Sequence, residues 1–108
     1  MTNDDHRLAT ARQAVNSLID IVHGEGPWAV QWSRMLLDIR DALAEEGMPS
    51  SDVLATVAAM FDALYEGPYN FADFYVMRDD HAARVAANER LSEIVDTLRT
   101  TLHGEEGQ

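Results

Sequence analysis

Asp80, Arg84 and Asn88 follow one another at intervals of four residues, a spacing that sets an acid, a guanidinium and an amide on one helix face. Such a trio can hold a charged or hydrogen-bonding group of a partner. Its plainer reading is an Asp–Arg pair worth about 0.3–0.5 kcal/mol on a hydrated surface. Just upstream, residues 66–77 read Glu-Gly-Pro-Tyr-Asn-Phe-Ala-Asp-Phe-Tyr-Val-Met, placing four of the eight aromatic residues in seven consecutive positions. Rings in a connection are costly to leave in water, so this segment either plugs the core or offers a sticky surface. Phe71 and Phe74 are the candidates for the core. Tyr69, Asp73, Tyr75, Asp80, Arg84 and Asn88 are the candidate partner-binding residues, because interface hot spots favour this mixture of Tyr, Arg and hydrogen-bonding groups.

Metal chemistry requires several ligands converging on one face. Asp20 and His23 stand one helical turn apart, as in bundle di-metal sites, but those need two Glu-x-x-His pairs and further carboxylates. His23 therefore reads as a helix C-terminal residue stabilised by the dipole. Asp38-x-x-Asp41 and Glu93-x-x-Asp96 bear a passing similarity to the carboxylate pairs with which all-helical nucleotide pyrophosphohydrolases hold magnesium. Asp41 lies opposite its helix's apolar stripe, and Glu93 and Asp96 lie about 140–200° from Leu91, so both pairs point to solvent. A nucleophilic serine or threonine would need a base and an oxyanion hole, and no Gly-x-Ser-x-Gly elbow occurs. Gly24-Glu25-Gly26 is a poor phosphate loop, since the acid repels phosphate and no lysine follows. No catalytic residue, metal ligand or cofactor is expected.

These side chains must be positioned by helices. Leu8, Ala11, Val15, Leu18, Ile19 and Val22 have helical spacing and predict a helix over about 4–23, ended by Gly24. Pro27 suits a first helical position. From there Trp28, Trp32, Met35, Leu36, Ile39 and Leu43 draw one apolar stripe through a second helix over about 27–46. Met48-Pro49-Ser50-Ser51-Asp52 reads as a turn and cap, followed by a third helix over about 51–66 that Gly67-Pro68 stops. Asn70 and Asp73 form a capping-box variant opening a short helical segment over about 70–78. Leu91, Ile94, Val95, Leu98 and Leu102 predict a last helix over about 80–103, with a mobile tail at 104–108. Phe71 and Phe74 fall about 100–160° from the Leu91 stripe on any straight helix, so a break is expected near Asp79 and Asp80. No segment carries a strand pattern. The expected fold is all-α: a single-domain bundle over residues 1–108, with four main helices and an aromatic-rich elbow before the last.

Composition limits the partners. The 108 residues suffice for one core, and 46% hydrophobic content argues against disorder despite a net charge of −11. Nineteen acids against eight arginines repel phosphate backbones and anionic lipid heads, so neither nucleic acid nor membrane is an expected partner. Without cysteine there is no disulfide framework, and without a signal or spanning segment the expected location is the cytoplasm. Methionines read as packing filler, and Ile21 and Met60, off their helices' stripes, as candidates for a homodimer seam.

Trp28 with Trp32-x-x-x-Leu36-x-x-Ile39-x-x-x-Leu43, and the later block Gly67-Pro68-Tyr69-Asn70-Phe71-Ala72-Asp73, carry a resemblance. Over about residues 25–102 the chain resembles a group of short, acidic, all-helical bacterial proteins of unknown function, some similar to immunity proteins of polymorphic toxins. That resemblance implies a binding protein whose acidic face covers a basic toxin. The leading expectation is thus a non-enzymatic, immunity- or antitoxin-like module with a basic protein partner. The alternatives are a structural homodimer and a metal-dependent nucleotide pyrophosphohydrolase-like enzyme.

Overall fold

The structure, a computed structural model, describes residues 3–68 and 70–103. Tyr69 and the tail at 104–108, expected to be mobile, lie outside the described residues. Within them the chain forms α1 (Asn3–His23), α2 (Val30–Leu43), α3 (Ser50–Ala63) and α4 (His81–His103), with single 3-10 turns at Pro27–Ala29 and Phe71–Asp73. The expected all-α bundle of four main helices is the fold observed. α1 packs between α2 and α4, and α3 closes the ring on the other side, so that α2 and α4 sit across the bundle from each other.

The spacing of the apolar residues explains what is inside. Leu8, Ala11, Val15, Leu18 and Val22 of α1 are buried, as are Trp32, Leu36, Ile39 and Leu43 of α2. Val53, Leu54, Val57 and Phe61 of α3 and Leu91, Leu98 and Leu102 of α4 complete the wall. Each fully buried side chain of this size contributes about 1.5–3 kcal/mol against exposure. Ile21 and Met60 are partly buried and pack against this core.

Two arginines of α1 finish its neighbours. A helix leaves its last carbonyls without intrahelical partners, and the planar guanidinium fork suits them. Arg7 donates through Nε to the Thr101 carbonyl at 2.9 Å and through Nη2 to Leu102 at 3.0 Å, closing the end of α4. Arg12 does the same for α2, donating twice to the Leu43 carbonyl at 3.1 and 2.8 Å. The start of α1 thus lies beside the ends of α2 and α4, which makes both antiparallel to it.

Four boundaries differ from the spacing. α3 ends at Ala63 rather than near 66, with Leu64 and Tyr65 in a turn ahead of Gly67-Pro68. α2 stops at Leu43 rather than 46, since Glu45 and Glu46 would add negative charge at the negative end of the dipole. Trp28 falls in the 3-10 turn before α2, where three residues per turn slip it out of phase with the buried stripe, and it is 40% exposed. The segment at 70–78 is not a short helix. Only Phe71–Asp73 turns; residues 75–78 form no helix, and Phe74 (φ −73°, ψ 137°) is extended. Aromatic and β-branched residues favour that conformation. The capping box at Asn70 does form: its side chain accepts from the Ala72 N–H at 2.9 Å, and Asp73 accepts from the Asn70 N–H at 3.2 Å. The expected break is at Asp80, whose carboxylate accepts from the Ala83 N–H at 2.8 Å and starts α4.

Candidate binding surface

The elbow has two faces, since burial alternates along it from the extended Phe74 onward. In a strand-like segment successive side chains point to opposite sides. Phe74 and Val76 are buried while Tyr75 and Met77 are 50% and 51% exposed. Phe71 is buried as well, so the inner face continues the core beyond the end of α3. Leu64 begins this run by accepting from the Phe71 N–H at 2.7 Å.

The seven aromatic residues among the described residues form one connected array that runs from the core to the surface. Phe61, Tyr65, Phe71, Phe74, Trp28 and Tyr75 follow one another with centroid separations of 5.5, 5.9, 5.3, 5.4 and 5.7 Å. Phe71 and Phe74 stack at 12° between planes, because side chains three apart eclipse across a 3-10 turn. Phe74 stacks in turn on Trp28 at 18°. Trp32 meets Trp28, Phe71 and Phe74 at 5.9, 6.1 and 5.7 Å. Each such pair adds about 0.5–1.5 kcal/mol beyond area burial. At the α3 end, the Arg99 guanidinium lies over Phe61 and Tyr65, 5.5 and 5.2 Å from their centroids. Burial pushes the Tyr65 phenol above its usual pKa, and the charge and hydrogen bond of Arg99 pull it back in part.

Two polar clamps hold the exposed part. The Asn88 amide accepts from the Val76 N–H at 2.8 Å and donates to the Val76 carbonyl at 3.0 Å, pairing with it as a neighbouring strand would. On the other side is Glu25, whose side chain is 5% exposed. It accepts from the Met77 N–H at 2.8 Å and from the Arg78 guanidinium at 3.1 Å. The elbow is therefore fixed to α4 and to the α1–α2 turn. Glu25 was legible only as an acid spoiling a phosphate loop, since nothing local announces a partner 52 residues away.

The six residues singled out by spacing divide accordingly. Tyr69 lies outside the described residues. Tyr75 is on the outer face, 5.7 Å from Trp28. Asp73 faces solvent but completes the capping box. Asp80 starts α4, and Arg84 donates to the Arg78 carbonyl at 3.4 Å and contacts His81 at 3.1 Å. The Asp80–Arg84 ion pair does not form. Asn88 is spent on Val76. Trp28 and Met77, placed by spacing in a core stripe and among packing filler, instead join Tyr75 at the surface.

Asp38, Asp41, Glu93 and Asp96 are exposed on α2 and α4, which face away from each other across the bundle. Asp41 pairs with Arg40 and Asp96 with Arg99, at 3.4 and 3.3 Å. Among the described residues no three His, Asp or Glu side chains are grouped so as to hold a metal ion, and no helix is long and apolar enough to cross a membrane. No protein-family model matches the chain, and neither a curated protein nor a solved structure is significantly similar to it.

Proposed function

We propose that this protein is a non-enzymatic binding module that covers a basic protein partner in the manner of an immunity protein or antitoxin. The observation that carries the proposal is the outer face of the elbow: Trp28, Tyr75 and Met77 stand 40–51% exposed on a chain of net charge −11. Large rings held in water on a rigid mount are what binding hot spots are built from. The mount is rigid because Phe74, Asn88 and Glu25 fix it from behind, so little conformational freedom remains to be lost on binding. The charge then selects the partner, steering cations toward the surface and repelling other acidic chains. The resemblance to immunity-like proteins supports the same reading.

Affinity capture from the source cells tests it, with the wild type beside a Trp28→Ala/Tyr75→Ala variant, at low and at physiological salt. The expected result is a protein of basic pI recovered by the wild type, more strongly at low salt, and lost with the variant. Recovery of no basic protein at either salt, or equal recovery by both, overturns the proposal.

A further inference from the structure

We propose that the Trp28–Tyr75 pair is a seat for an arginine side chain of the partner, which rests on the function proposed above. The chain carries an occupied example of the same arrangement. Phe61 and Tyr65 are 5.5 Å apart and tilted at 60°, and the Arg99 guanidinium lies 5.5 and 5.2 Å from their centroids. Trp28 and Tyr75 are 5.7 Å apart and tilted at 44°, and among the described residues no guanidinium lies over either ring. Both rings are partly in water, whereas Arg99 covers the first pair.

Three features make the second pair receptive. Trp is the strongest aromatic acceptor of a cation, and a guanidinium stacks on ring faces better than an ammonium does. The neighbouring Arg78 cannot fill the seat without breaking its contacts, since Glu25 holds its guanidinium at 3.1 Å and the Met77 carbonyl accepts from it as well. A second copy of this chain is the wrong occupant, because two surfaces of net charge −11 repel. A cationic segment with an apolar flank fits both the rings and Met77.

Titration of the intact protein with a short blocked arginine peptide, and with its glutamine counterpart, tests the seat. The readout is the Trp28 indole N–H resonance, distinguished from that of Trp32 by its loss in Trp28→Leu. The arginine peptide should shift that signal and the glutamine peptide should not. Tyr75→Leu, which keeps apolar bulk and removes a ring face, should weaken arginine binding about two- to fivefold while the melting temperature falls by no more than a few degrees. Equal affinity of wild type, Tyr75→Leu and Trp28→Leu, with salt-sensitive binding, removes the seat and leaves the acidic-module reading standing. No binding of the arginine peptide even at low salt removes both.

Discussion

Tyr65 sits between Phe61 and Phe71, its phenol raised above the ordinary tyrosine value of 10.0 chiefly by burial. The native state therefore keeps this proton at a pH where the unfolded chain has released it. The resulting contribution is intact below pH 10 and is lost as pH rises through the ordinary value toward the native one. Chemical denaturation of wild type and Tyr65→Phe across this range should show the alkaline loss reduced in the variant. Absorbance titration should likewise assign Tyr65 a step above pH 10. An identical alkaline decline in the two proteins would contradict the burial argument. Phe71 poses a simpler case, being 4% exposed and stacked on Phe74. Phe71→Ala should cost about 3–5 kcal/mol, read from the denaturation midpoint.

The elbow takes its shape from residues far away in sequence. Asn88→Ala would leave both polar groups of the Val76 backbone without their partner, costing about 1–3 kcal/mol. Hydrogen exchange should show residues 74–78 opening faster in this variant while the centres of α1 and α2 keep their protection. Uniform loss of protection would mean that the elbow is not separately clamped. This is also where the sequence was least legible. The apolar stripes of α1, α2 and α4 are repeated at helical period, and the capping box at Asn70 and the break at Asp80 depend on nearest neighbours, so all were readable. Phe74-Tyr75-Val76-Met77 alternates inward and outward over only four residues, too few to stand out as a strand pattern, and an all-helical context masked it. The clamps from Asn88 and Glu25 span 12 and 52 residues and have no local signature. A count of 3.6 residues per turn misplaces Trp28, because the stretch before α2 winds at three.

At the scale of the molecule, charge and the exposed rings pull in opposite directions for self-association. Trp28, Val30, Tyr75 and Met77 could pack against a second copy, but doubling a charge of −11 opposes it. Light scattering should give a mass of 12.0 kDa that does not rise with concentration at low salt. A concentration-dependent mass near twice that value would favour the homodimer instead. The central claim is that one short segment is wall of the core on one side and binding face on the other. Phe74 and Tyr75 divide these roles between adjacent positions, at 6% and 50% exposure. The most direct measurement is therefore urea denaturation of Phe74→Ala beside Tyr75→Ala. Phe74→Ala should lose about 3–5 kcal/mol or fail to fold, while Tyr75→Ala should stay within about 1 kcal/mol of wild type. Equal losses in the two variants, or a neutral Phe74→Ala, would contradict the account.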